Sequence, residues 1–173
     1  MNIIDYYNTI PFLSISISAL ALLAIELIVK GKSRLIFYSS LFFLVVDFII
    51  TLCCFEIGGK AFNDMIITGK FTNIITLALL FGMILMVLYS KNYILKAGYD
   101  FGEFYILLFF SLAGMVLMVS ANDLIILFLG IEVMSIPFYI LAGFFRKRIK
   151  SNESSLKYFL LGSFATGFLL YGI

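Results

Sequence analysis

An all-α, polytopic transmembrane helical bundle is the fold class this sequence predicts, and three observations carry it. The 173 residues are 63% hydrophobic and only 13% charged, with a mean hydropathy of +1.13. A soluble domain carries about 25% charged residues, and no soluble core of this size could hide so much apolar surface. Five stretches, at 11–29, 35–55, 71–90, 103–120 and 123–145, come close to the roughly 20 mostly apolar residues of a bilayer-spanning helix. The basic residues alternate between connections. All except Lys60 and Lys70 fall in the first, third and fifth, as Lys30, Lys32 and Arg34, then Lys91 and Lys96, then Arg146, Lys147, Arg148, Lys150 and Lys157. The positive-inside rule makes those connections cytoplasmic and the N-terminus external.

The N-terminal segment "MNIIDYYNTIP" has no Lys or Arg, so it lacks the basic region of a signal peptide, and the first span is expected to stay in the mature protein. Near the end of that span Glu26 precedes Lys30 by four residues, a favourable spacing on one helix face. In the second span, "FFLVVDFIITL" places Asp47 near the middle, either bonded to a neighbouring helix or belonging to a proton path. Cys53 and Cys54 are adjacent and read as small packing residues; with no His in the chain they form neither a disulfide framework nor a metal cluster. Tyr6, Tyr7, Tyr38, Tyr89, Tyr93 and Tyr105 lie near span ends, where amphipathic rings favour the headgroup region.

Taken as one helix, Glu103–Phe145 would run about 64 Å, twice the hydrocarbon thickness. "SAND" at 120–123 divides it into a tight helical hairpin, with Ser120 and Asn122 as N-cap types and Asp123 complementing the next helix dipole. A sixth span opens near Ser155 and is still apolar at Ile173, as in a fragment of a longer protein. Within it Gly162 with Thr166, and Ser163 with Gly167, have the small-xxx-small spacing of close helix contacts.

Glu132 is the principal candidate site residue. It lies about ten residues from each end of the fifth span, where a carboxylate costs on the order of 3 kcal/mol. Ser135 and Tyr139 share its helix face at i+3 and i+7 and offer hydroxyl partners. Pro137 lacks an N–H and crowds the carbonyl of Val133, so a bend is expected one turn away. The combination reads as the wall of a hydrated internal site, or as a Glu buried only to order helices. No phosphate-binding glycine loop, nucleophile–base pair, haem-ligating His or four-Cys cluster is present, so redox chemistry is not expected within the chain. Neither a nucleic acid nor a small-molecule substrate other than protons is expected as a ligand. The run "RKRIK" at 146–150 reads as a cytoplasmic anchor, with anionic lipid or a partner subunit as the lesser possibility.

The stretch "SANDLIILFLGIEVMSIPFYILAGFFRKRIKSNESSLKYFLLGSFATGFLLYG" resembles subunit N of the bacterial proton-pumping NADH–quinone oxidoreductase, the membrane arm of complex I. The resemblance runs through "ND", "LFLG", the Glu, "SIP", "LAGF", the basic loop and "LKYF", and the preceding "EFYILLFFSLAGMVLMVSAND" is similar too. It implies an antiporter-like fold truncated in its sixth helix. Residues 1–102 would hold the first three helices and 103–173 the start of the first antiporter-like repeat. Glu132 would match the family's fifth-helix glutamate, which pairs with a lysine on a broken seventh helix and helps gate proton transfer. The implied partners are other membrane-arm subunits and lipid, in a bacterial inner membrane. The implied NADH, flavin, iron–sulfur clusters and quinone belong to the assembled complex. Two alternatives stay open: a cation/proton antiporter subunit of the multi-component type, and a purely structural membrane subunit.

Overall fold

A helix in lipid satisfies its own backbone polar groups, so long apolar runs have little choice but to form helices. The structure, a computed structural model, describes residues 8–29, 33–96 and 102–173. Tyr6, Tyr7, Lys30, Lys32 and the side chains of Tyr93 and Lys96 lie outside the described residues, and with Lys30 goes its pairing with Glu26. The helices are α1 Ile10–Val29, α2 Ser33–Cys53, α3 Lys70–Lys96, α4 Glu103–Ser120, α5 Leu124–Ala142 and α6 Ile149–Gly172. The first five are long and apolar enough to cross a membrane, which makes this a multi-pass membrane protein. α6 begins at Ile149 rather than near Ser155, because the polar stretch before the apolar run is already helical and carries an i,i+4 Lys157–Glu153 pair. α5 stops at Ala142, where the Gly143 N–H closes the last turn on the carbonyls of Ile140 and Leu141.

α4 is the central helix. It packs against α1, α2, α3 and α5, while α6 rests on α5. Phe109, Leu108, Leu112 and Val116 of α4 meet Ile15 and Leu22 of α1, Ile36 and Leu44 of α2, and Leu80 and Val87 of α3 in one buried cluster. Lipid tails are as apolar as these side chains, so the helices are held by van der Waals fit more than by exclusion from water. Tyr38 and Tyr89 are exposed at helix ends, as an interfacial belt requires, but Tyr105 is buried edge-on between Phe37 and Phe104. Lys91 turns its ammonium over the Phe37 ring at 4.4 Å.

One element has no sequence-based counterpart. Strands β1 Gly59–Ala61 and β2 Ile66–Thr68 form an antiparallel hairpin between α2 and α3, with Ala61 opposite Ile66. Its turn holds Phe62, Asn63 and Asp64 at φ 53°, 59° and 67°, a conformation Asn and Asp tolerate better than a bulky residue does. Asn122 ties the hairpin to the α4–α5 link: its amide donates to the Asp64 carbonyl at 2.7 Å and its backbone N–H to that of Met65 at 2.9 Å. At the start of α1, Asn8 donates to the Lys60 carbonyl at 3.3 Å. The start of α1, the second connection and the fourth therefore share one end of the bundle, as strict alternation demands. Asn122 is thereby used up, and the N-cap of α5 is Asp123, whose carboxylate accepts from the Ile125 N–H at 2.8 Å.

The α2 C-terminus is closed from α3. Asn73, 1% exposed, donates through one amide nitrogen to the carbonyls of Cys54, Phe55 and Ile57 at 3.0–3.3 Å. These carbonyls belong to the residues that follow α2, where the chain has left the helical ladder and buried acceptors need other donors.

The α4–α5 hairpin is the tightest contact. A Cβ at Gly114 would strike the backbone of Val133 and Met134, and one at Gly130 would strike the Met118 backbone at 2.8 Å. The small-residue positions anticipated in α6 are not used this way: Gly162 lies against the Tyr139 hydroxyl, and nothing stands within 4 Å of where a Cβ would be at Gly167. Gly114→Val should lower thermal stability in detergent by about 1–3 kcal/mol or prevent folding, since backbone cannot yield as a side chain can. Gly167→Ala should leave the melting curve of the chain unchanged. Asn73→Ala should cost about 1–3 kcal/mol in the same measurement.

Candidate functional site

Glu132 sits in the middle of α5, on the side that α4 does not occupy. Gly130 lies against Met118 and Met134 against Gly114, so both mark the α4-facing seam. At 100° per residue Glu132 is turned about 160° from each. Its neighbours on that face, Ile125, Leu129 and Ile136, are exposed, while Glu132 itself is half-buried. Among the described residues it makes no hydrogen bond or ion pair; the three ion pairs there are Lys60–Asp64, Lys70–Glu56 and Lys157–Glu153, all between exposed side chains.

The residues around it are employed elsewhere. Ser135 is buried and donates to the Ile131 carbonyl at 2.6 Å, the i−4 bond that Ser makes readily within a helix. Tyr139, one face-repeat further, packs edge-on against Tyr158 at 4.8 Å and Phe159 at 5.7 Å, joining α5 to α6. Ser155 of α6 donates to the Tyr139 carbonyl at 2.8 Å, reinforcing that joint. Neither hydroxyl is bonded to Glu132. Pro137 is buried on the α4 side, and α5 is continuous through it.

Asp47 is in a different environment. It is 0% exposed and accepts from the Ser18 hydroxyl of α1 at 3.1 Å, while its second oxygen is buried with no hydrogen-bond partner. It lies six residues before the end of α2 at Cys53, or about 9 Å from the helix end that carries the β-hairpin. It is thus near the middle of the span, on the side towards that end. Asp47 and Glu132 belong to different helix contacts, Asp47 between α1 and α2 and Glu132 on the open face of α5. Glu26, near the other end of α1, approaches Gly102 so closely that any side chain at 102 would strike its carboxylate; one Glu26 oxygen is buried without a partner among the described residues. Composition could flag these carboxylates but not the glycine that makes room for one. No three His, Cys, Asp or Glu side chains among the described residues come together to hold a metal ion.

The Ser18 hydroxyl donates to the buried Asp47 carboxylate, so Ser18→Ala should lower thermal stability by about 1–3 kcal/mol. In Asp47→Asn, which keeps an acceptor and removes the charge, the same Ser18 change should cost less, and a double-mutant cycle by thermal melting reads the difference.

With this geometry in hand, similarity to known proteins places the chain. Residues 121–173 match the family described as NADH:quinone oxidoreductase/Mrp antiporter, transmembrane. Over 180 aligned residues covering 100% of the chain, it is 37% identical to NADH-quinone oxidoreductase subunit N of Trichlorobacter lovleyi, and it spans 37% of that protein. The subunit N of Chloroflexus aggregans is 37% identical over 172 residues, 98% of this chain and 35% of the relative. That of Salinibacter ruber is 45% identical over 115 residues, 66% of this chain and 23% of the relative. A chain in the structure of respiratory complex I from Thermus thermophilus with bound aureothin has the same fold, with a TM-score of 0.80 at 24% identity over 94% of this chain and 35% of that one. The chain thus spans about a third of the length of these relatives.

Proposed function

The chain belongs to the subunit N family of NADH-quinone oxidoreductases, and from that premise we propose that it forms part of a membrane-arm subunit translocating protons in step with electron transfer from NADH to quinone. The observation that carries this reading is Glu132: a mid-span carboxylate on an open helix face, without a partner among the described residues. An intramembrane carboxylate is costly unless it is paired or hydrated. Its partner in this reading is a lysine on the seventh helix, in the part of the subunit that this chain does not span. Residues 103–173 open the first antiporter-like repeat, and residues 1–102 are the three helices before it. The basic connections face the cytoplasm, the N-terminus and the β-hairpin face outward, and the membrane is the bacterial inner membrane. NADH, flavin, iron–sulfur clusters and quinone are held by other subunits of the complex.

The proton chemistry follows from the position of Glu132. An opposite charge within about 4–6 Å holds a carboxylate ionised, and withdrawing that charge in a low-dielectric site favours proton uptake. Unpairing and re-pairing of Glu132 would then load and release one proton as the partner's charge moves. Ser135 and Pro137 support the site by shaping α5, and Tyr139 by fixing α6 against it. Asp47 is a candidate for a second proton-binding position in the outer half of α1–α2. In the full-length, assembled complex, Glu132→Gln should lower proton pumping and coupled quinone reduction about tenfold or more while leaving assembly intact. Pumping by quenching of a pH-sensitive dye and assembly by native electrophoresis check this, and normal pumping in an assembled mutant would refute it.

The family description also includes Mrp antiporters, which keeps a cation/proton antiporter as the second reading. Sodium-dependent proton movement in vesicles without NADH would favour it. A structural role alone would leave both activities unchanged in the Glu132→Gln complex.

A further inference from the structure

At the end of the bundle opposite the β-hairpin, a cavity of 370 Å³ opens between the start of α4 and the end of α5. Its lining includes Glu103, Leu107, Ile140, Phe144, Arg146 and Lys147. The charged and apolar groups are sorted by depth. Glu103 begins α4 and Leu107 lies one turn, about 6 Å, further into the span. On the other wall Ile140 lies in the last turn of α5, while Phe144, Arg146 and Lys147 follow the helix end. The charged groups are therefore at headgroup level and the aliphatic groups at the level where acyl chains begin. Glu103, Arg146 and Lys147 are exposed, and none belongs to an ion pair among the described residues. The third basic residue of the run, Arg148, is turned away onto the Phe145 ring at 5.0 Å.

We propose that this cavity binds one glycerophospholipid with a primary-ammonium headgroup, phosphatidylethanolamine. Arg146 and Lys147 hold the phosphate, Glu103 accepts from the ammonium, and Leu107 and Ile140 cover the first segment of an acyl chain. Two cations and one carboxylate on opposite walls match a zwitterion better than a purely anionic headgroup, because Glu103 repels the latter. A guanidinium presents a planar donor fork suited to phosphate. A choline headgroup carries the positive charge but has no N–H to give Glu103. Inorganic phosphate shares the anionic chemistry and lacks the chain that the apolar wall would cover.

The test uses the full-length subunit in its purified membrane complex, reconstituted in vesicles of phosphatidylcholine doped with acyl-diazirine phosphatidylethanolamine, phosphatidylglycerol or phosphatidylcholine. Photoadducts are mapped by mass spectrometry to peptides 103–107 and 140–147. The site predicts labelling by the ethanolamine lipid about three- to fivefold above either other lipid, the yield of one charge-assisted contact near water. Glu103→Lys should invert the preference towards phosphatidylglycerol, and the Arg146→Ala/Lys147→Ala pair should reduce labelling by all three lipids. Equal labelling by the three lipids in a folded, assembled complex would overturn the proposal. So would labelling abolished by millimolar inorganic phosphate, which marks a free-anion site, or the absence of adducts at these peptides, which marks a cavity filled by protein. Because no step of this test reads proton pumping, its failure and that of the proton-path reading are distinguishable.

Discussion

The close approach of α4 and α5 is the contact on which the rest of this structure turns. Gly114 against Val133–Met134 and Gly130 against Met118 bring the two backbones together at two levels of one antiparallel hairpin. The contact fixes the rotation of α5 about its own axis, and so decides that Glu132 faces away from the packed cluster around α4. One turn of slip along this seam would replace backbone-to-glycine contacts by collisions. The orientation of the carboxylate is therefore set by two residues that have no side chain.

Lipid as the surrounding solvent explains how the remaining polar groups are spent. Ser40, Thr51, Thr76, Ser90, Ser111 and Ser120 are all buried, and each donates to a carbonyl three or four residues earlier in its own helix. Asn73 and Asn122 close a helix end and a hairpin. These groups are satisfied locally and leave little capacity for a path. Asp47, Glu26 and Glu132 are different, because each keeps at least one oxygen without a partner among the described residues. In a medium that cannot supply the missing bonds, such groups are where water, a proton or an opposite charge has to enter.

The spans were legible in the sequence because length and hydropathy are direct consequences of bilayer thickness. The observed helices agree with the expected ones within a few residues, apart from the ends of α3 and α6, where helices continue into polar sequence that hydropathy does not report. The β-hairpin was not legible: its strands have three residues each, and its turn depends on Phe62 in a left-handed conformation that no composition signals. The glycines that pack α4 on α5 were missed because antiparallel partners lie far apart in sequence, whereas the four-residue spacing in α6 drew attention to Gly162, which meets a tyrosine ring rather than a backbone, and to Gly167, which has nothing packed against it. Glu132 and Asp47 were legible from the cost of a carboxylate in a span. Their surroundings were not. Helical spacing put Ser135 and Tyr139 on the face of Glu132, but a serine on a helix has a nearer acceptor in its own backbone, and the tyrosine ring was needed by α6.

The central claim is that Glu132 is an exchangeable acid whose protonation follows the movement of a charge outside this chain. Infrared difference spectroscopy of the assembled complex, comparing resting enzyme with enzyme in turnover, tests this most directly. The account predicts a protonated-carboxyl C=O band that appears or disappears on turnover, shifts in heavy water and is absent from the Glu132→Gln complex. A difference spectrum in the carboxyl region that is identical in the two complexes would contradict it.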